Sequence, residues 1–247
     1  MVDQLSLIRS GPAKPDRILL LLPGGGQGAE AFTEHVAALD PHQRWLVAVA
    51  QPRLTTRFGP LWYDVEPHYD LDAAADTVLA VAAAAESLMQ ETGVGPDHLV
   101  LAGFSQGAVI SLATLVDPRV EFRPAAVAAL AGYRFSGEDD IEMARAKGVP
   151  VLVAHGRDDT GVFATKGWSA ACELQKAGAA LTWREVDGGH HISPYLLGEL
   201  RSWLEAFERG EHPSDDPDRA IPCPVPTIEL PHRPMRSARK GDQVRPV

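Results

Sequence analysis

The chain has 247 residues, 45% of them apolar and 23% charged, with a formal net charge of −10. That length and balance suit one α/β domain with a full hydrophobic core and exclude a disordered chain. The negative charge argues against nucleic acid or an anionic membrane as the main partner, because both require a basic footprint.

The first strong element is a strand over residues 17–22, whose run Ile18-Leu19-Leu20-Leu21-Leu22 is closed by Pro23. It is too short to cross a bilayer, and no stretch elsewhere is long enough, so no stable membrane insertion is expected. The N-terminus lacks a basic segment followed by a long apolar core, which leaves a cytoplasmic location as the expectation. After the strand comes Pro23-Gly24-Gly25-Gly26-Gln27-Gly28. A glycine-rich strand-to-helix loop can cradle phosphate, but the fingerprints need a Gly-Lys-Ser/Thr or an acidic ribose ligand after the next strand. Neither is present. The loop reads instead as one wall of an oxyanion hole, with the backbone N–H of Gly25 as donor and Gly24 or Gly26 as alternatives.

A helix is expected over 28–39 and a strand over 45–50. The long loop 51–70 then carries Phe58-Gly59-Pro60-Leu61-Trp62-Tyr63-Asp64, aromatic enough to wall a pocket or to pin the loop to the surface. Arg53 and Arg57 in the same loop could meet an anionic substrate or simply be solvated. The alanine-rich stretch 71–91 predicts a long helix packed closely on a sheet.

Residues 98–103 form the next apolar strand and run straight into Gly103-Phe104-Ser105-Gln106-Gly107, with a helix over 106–116. Gly-x-Ser-x-Gly between a buried strand and a helix is the pattern of a nucleophile elbow. It raises the serine hydroxyl at the carboxyl edge of the sheet and aims the Gln106 N–H at a developing oxyanion. A neutral serine needs a base, and the base needs an orienting acid. In this architecture the order is serine, acid, histidine. Strand 149–155 ends at Arg157-Asp158-Asp159, and strand 181–186 ends at Asp187-Gly188-Gly189-His190-His191. Both loops lie at the edge that carries Ser105.

Between and after these lie a strand over 126–131 and helices over 141–147, 165–177 and 192–208. Strands and helices alternate throughout, which predicts a mainly parallel, doubly wound sheet with helices on both faces and no large separate lid. Cys172 sits in an alanine-rich helical segment and reads as a packing residue, and Cys223 is isolated. Neither they nor the nine histidines have metal-ligand spacing, so no metal and no cofactor are expected. From residue 211 to 247 prolines recur without apolar periodicity. The catalytic domain is therefore set at 1–210. The remainder is a tail, either disordered or docked on its own domain or on a neighbouring subunit in a homodimer.

Four motifs carry a resemblance to the carboxylesterase/phospholipase family of the α/β-hydrolase superfamily, which includes acyl-protein thioesterases. Gly103–Gly107 matches the family's elbow, and Trp62-Tyr63-Asp64 matches its Trp-Tyr/Phe-Asp motif. His155-Gly156-Arg157-Asp158-Asp159 matches His-Gly-x-x-Asp, and Gly189-His190 with Ile192-Ser193 matches the motif before the last helix. The resemblance spans about residues 15 to 209 and implies an α/β-hydrolase fold, with Asp159 rather than Asp158 as the acid and His190 rather than His191 as the base. The chain departs from the family at Leu22-Pro23-Gly24-Gly25, at Ala108 and at Thr160-Gly161-Val162-Phe163. Trp62 and Phe163 are expected at the substrate pocket.

These readings converge on a metal-independent serine hydrolase for small-molecule carboxylic esters or thioesters. Ser105, His190 and Asp159 would form the triad, Gly25 and Gln106 the oxyanion hole, and the acyl group would pass through Ser105. The same residues would serve an acyltransferase with a non-water acceptor, and a non-catalytic binding module is the third reading.

Overall fold

The computed structural model describes residues 4–64, 71–134 and 142–211. In chain order the elements are β1 (Leu7–Ser10), β2 (Ile18–Leu22), α1 (Ala29–Thr33), α2 (Val36–Leu39), β3 (Leu46–Ala50), β4 (Leu54–Thr56), β5 (Gly59–Leu61) and α3 (Leu71–Thr92). They continue with β6 (Leu99–Phe104), α4 (Gln106–Val116), β7 (Ala126–Leu130), β8 (Pro150–Gly156), α5 (Ala164–Lys176), β9 (Ala180–Val186) and α6 (Pro194–Glu208). Seven strands form one sheet in the order β1-β3-β2-β6-β7-β8-β9. Every neighbouring pair is parallel except β1 with β3.

The five leucine and isoleucine positions of β2 show how the sheet is stabilised. Side chains alternate faces along a strand. Ile18, Leu20 and Leu22 accordingly join the core built with α3, α4 and α5, whereas Leu19 and Leu21 join the core built with α1, α2 and α6. All five are buried, each contributing roughly 1.5–3 kcal/mol relative to an exposed position. The alanine stripe of α3 is buried as expected, with Ala80, Ala84 and Ala85 in the first core.

The chain leaves β2 for β3 on one side and later returns to β6 on the other. The loops after β2 and β6 therefore diverge and leave a crevice at the carboxyl ends, the place where open α/β sheets bind ligands.

Several expectations are corrected. The helix over 28–39 is two short helices, because α1 packs on β1 and β3 while α2 packs on α6. The helix over 141–147 is reduced to a 3-10 turn at Met143–Ala146, with Ile141 outside the described residues. Arg145 ties that turn down by donating to the carbonyls of Leu115, Val120 and Phe122. Strand β1 and the β4–β5 hairpin were not foreseen. The last helix begins at Pro194, with the Ser193 hydroxyl accepting from the Leu196 N–H as its cap. Cys172 is buried in α5 and is not a free thiol. Cys223, the end of the 51–70 loop and the tail beyond Glu211 lie outside the described residues.

Two glycines in helices give opposite predictions. A Cβ on Gly107 would come within 2.1 Å of the Leu22 carbonyl oxygen, whereas one on Gly198, exposed in α6, would meet nothing within 4 Å. Gly107→Ala should therefore cost about 3 kcal/mol or more, since only a backbone shift relieves the clash. Gly198→Ala should stabilise by about 0.5–1 kcal/mol through helix propensity. Urea unfolding of both variants tests this, and a Gly107→Ala protein as stable as the parent would contradict the packing described.

Candidate active site

Ser105 is the residue between β6 and α4, and its backbone stands at φ 52° and ψ −117°. A non-glycine residue in that region carries roughly 1–3 kcal/mol of strain and persists only when its surroundings over-determine it. Here they do. The Ser105 N–H donates to the Leu130 carbonyl at 2.9 Å, and its own carbonyl accepts from Val109 at 3.1 Å as α4 begins. Gly103 and Gly107 face each other so closely that a Cβ on Gly103 would lie 2.2 Å from the Gly107 oxygen. The hydroxyl is thereby lifted out of the sheet.

The Ser105 Oγ lies 2.9 Å from His190 Nε2, and His190 Nδ1 lies 2.7 Å from Asp159 Oδ2. Asp159 is only 3% exposed. Its second oxygen, Oδ1, accepts the backbone N–H groups of Gly161 at 2.9 Å and Val162 at 2.8 Å. These bonds are the local compensation for burying a carboxylate. His190 stacks at a tilt on Phe104, ring centroids 5.2 Å apart. The neighbours point elsewhere: Asp158 and His191 are both exposed. The loops after β8 and β9 are seamed by Asp158 N–H to the Gly188 carbonyl at 3.0 Å. A Cβ on Gly156 would come within 2.5 Å of that same carbonyl, so the seam needs glycine there.

His155 lies beneath this array and is fully buried. Its Nε2 is 2.7 Å from the Val162 carbonyl and 3.3 Å from Asp159 Oδ2, while Nδ1 is buried without a hydrogen-bond partner among the described residues. Burial holds its pKa below the usual 6.5, against the opposing pull of the Val162 carbonyl and Asp159. The ring is thus neutral, carrying its proton on Nε2 toward Val162.

Of the three glycines directly after Pro23, one has its N–H without a protein acceptor among the described residues. Gly24 N–H is taken by the Gln27 side chain at 3.2 Å and Gly26 N–H by the Pro60 carbonyl at 2.8 Å. Gly25 N–H has no protein acceptor among the described residues, and neither has the Gln106 N–H at the start of α4. Both residues line, with Ser105 and His190, a cleft of about 330 Å³. A larger groove of about 660 Å³ lies at the amino ends of β2 and β3. Among its lining residues Arg17 pairs with Asp16 and Arg44 with Glu208, and it holds no array like that at Ser105 among the described residues.

Trp62 and Phe163 do not line the cleft. Trp62 is completely buried, and its indole N–H donates to the Pro23 carbonyl at 2.6 Å. The Gln106 side chain clamps the same segment, its Oε1 accepting from Trp62 N at 3.1 Å and its Nε2 donating to the Tyr63 carbonyl at 3.2 Å. Trp62 is therefore a strut under the glycine loop. Phe163 is 59% exposed and caps α5 on the outside. Phe58 and Leu61 do line the cleft, as do Tyr133 and Lys166, which sequence reasoning missed. Their only available signal was position, since Tyr133 follows β7 and Lys166 opens α5 at the same sheet edge.

The phospholipase/carboxylesterase family model matches residues 4–207. A probable carboxylesterase SOBER1-like protein of Arabidopsis thaliana is 28% identical over 222 residues, covering 83% of this chain and 84% of its own length. Acyl-protein thioesterase 1 of Gibberella zeae is 27% identical over 119 residues, covering 46% and 50%. The crystal structure of esterase PE8 superposes with a TM-score of 0.72 over 82% of this chain and 99% of its own, at 23% identity, and so bears on the fold alone. With the mainly parallel sheet and a match over most of its length, the chain has the α/β-hydrolase fold and belongs to the phospholipase/carboxylesterase family.

Proposed function

We propose that the chain hydrolyses carboxylic esters or thioesters through an acyl-serine intermediate on Ser105. The observation that carries this reading is the unbroken hydrogen-bonded run from Ser105 Oγ through His190 to Asp159, beside two backbone N–H groups without protein acceptors among the described residues. Ser105 Oγ attacks the carbonyl carbon while its proton passes to His190 Nε2. The carbonyl oxygen becomes an oxyanion held by the N–H groups of Gly25 and Gln106, each such donor being worth about a hundredfold or more in rate. Collapse breaks the bond to the alcohol or thiol, which leaves with the proton from His190. A water then gives its proton to His190 and attacks the acyl-serine, releasing the acid and restoring the hydroxyl. Asp159 holds Nδ1–H and offsets the charge on the imidazolium. His155 is a positioning residue: it fixes the Val162 carbonyl, whose N–H in turn fixes Asp159.

Ser105→Ala should lower turnover of a short-chain ester by about a million-fold with the fold unchanged. His190→Ala and Asp159→Asn should each cost about a thousandfold or more, whereas His191→Ala and Asp158→Asn should stay within about fivefold. Steady-state kinetics with far-ultraviolet circular dichroism decides. Inactive His191 and Asp158 variants beside active His190 and Asp159 variants would overturn the role assignment.

His155 also predicts a pH dependence of stability. Its folded pKa lies below 6.5, so the unfolded chain takes up a proton that the native site resists. Its contribution is complete above 6.5 and is lost as pH falls from there toward the folded value. The loss rate is at most about 1.4 kcal/mol per pH unit. Urea unfolding between neutral and mildly acidic pH should show a shallower slope for His155→Gln than for the parent. Equal slopes would mean the ring charges freely in place.

A further inference from the structure

The cleft is built in two chemically different halves. The loops on the β2 side contribute Gly25, Gly26, Phe58 and Leu61, which offer apolar carbon and backbone. The loops after β7 and β8 contribute Tyr133, Val162 and Lys166, with Ser105 and His190 between the halves. Among the described residues that line the cleft, Lys166 is the only one with a permanent charge, and none is a carboxylate. Asp159 lies behind His190, already satisfied by two N–H groups and the imidazole.

Lys166 is also held in place. Its Nζ lies 5.1 Å from the centroid of the Tyr133 ring, and the Tyr133 hydroxyl is 3.3 Å from that of the fully buried Tyr63. A cation over an aromatic face is held by the ring quadrupole without being neutralised. The surface arginines Arg9, Arg44, Arg119, Arg157 and Arg209 all reach carboxylates, whereas the Lys166 ammonium makes no ion pair among the described residues. The chain carries a net charge of −10, and the Lys166 ammonium places a fixed positive charge in the cleft itself, where an anionic group of a substrate can meet it.

From this we infer that the preferred substrates are esters with one apolar half and one half bearing a carboxylate or phosphate, which Lys166 pairs with across the cleft. The proposal rests on the esterase reading above and names its substrate class. The anionic group can sit on the acyl chain or on the leaving group, and matched substrate pairs separate the two. Monoethyl glutarate against ethyl 5-methylhexanoate places the carboxylate on the acyl side. The pair 3-acetoxybenzoate against 3-acetoxytoluene places it on the leaving side.

In one of these pairs, the ratio of kcat/KM for the anionic over the neutral member should fall about tenfold in Lys166→Met. Lys166→Arg should keep the ratio, and high salt should shrink it in the parent, as expected for an attraction across a solvent-accessible cleft. A tenfold change corresponds to about 1.4 kcal/mol. Ratios unchanged by Lys166→Met in both pairs would overturn the proposal. A binding measurement keeps the test independent of turnover: calorimetry of monoethyl glutarate and 3-acetoxybenzoate with Ser105→Ala, with and without Lys166→Met. About tenfold weaker binding of one of them on loss of the ammonium supports the assignment, and equal affinity for both contradicts it. Persistent turnover in Ser105→Ala would instead reject the acyl-serine reading, leaving the binding result to be judged alone.

Discussion

The close approach of α4 to the end of β2 is the constraint on which the site depends. Gly107 lies so near the Leu22 and Pro23 carbonyls that no side chain fits, and this contact, with Gly103 beneath it, forces the turn that leaves Ser105 at positive φ. The turn fixes more than the hydroxyl. Gln106, the next residue, has a backbone N–H without a protein acceptor among the described residues, while its side chain grips Trp62 and Tyr63. Trp62 in turn donates to Pro23, directly before the glycine loop, and Thr77 of α3 holds the Trp62 carbonyl at 2.8 Å. The serine, both free N–H groups and the loop that carries one of them are thus parts of one cross-braced body. In the proposed reaction, preorganisation of that kind would let these donors stabilise a developing oxyanion without reorganising.

The His190 and Asp159 side of the site is assembled differently. His190 and Asp159 come from loops after adjacent parallel strands, β9 and β8, so the sheet's register already brings them near each other. Fine positioning is left to backbone groups: the N–H pair of Gly161 and Val162 on Asp159, and the seam between Asp158 and Gly188. His155 supports the same loop from below and stays neutral because it is buried. Among the described residues its Nδ1 has no partner, the cost of placing an imidazole where Nε2 alone meets an acceptor.

What could be read from the sequence follows from which signals are local. The inner parallel strands β2, β3, β6, β7 and β8 are near-continuous apolar runs because both faces are covered, whereas edge strand β9 carries Arg184 and Glu185, and α4 was legible to the residue because its elbow and small side chains agree. Strand β1 escaped notice because it is four residues long, mostly exposed, and held only by antiparallel pairing with β3. The hairpin of β4 and β5 contains Gly59 and Pro60, residues that weaken any strand signal. Order along the chain gave serine, acid and histidine, while the choice within Asp158-Asp159 and His190-His191 came from the family motif. Trp62 was misplaced for a physical reason: an aromatic residue in a loop reads the same whether it faces a cleft or underpins one. Only the partner of its indole N–H, the Pro23 carbonyl, tells the two apart. Tyr133 and Lys166 lie in no motif and become visible only when the sheet order brings their loops to one edge.

The central claim is that the geometry at the elbow makes one serine hydroxyl nucleophilic. Its most direct measurement is covalent labelling with a fluorophosphonate, followed by intact mass and peptide mapping. One label per chain, located on Ser105 and blocked when His190 is removed, is the predicted result. A label on another serine, or none on the folded protein, would contradict the account.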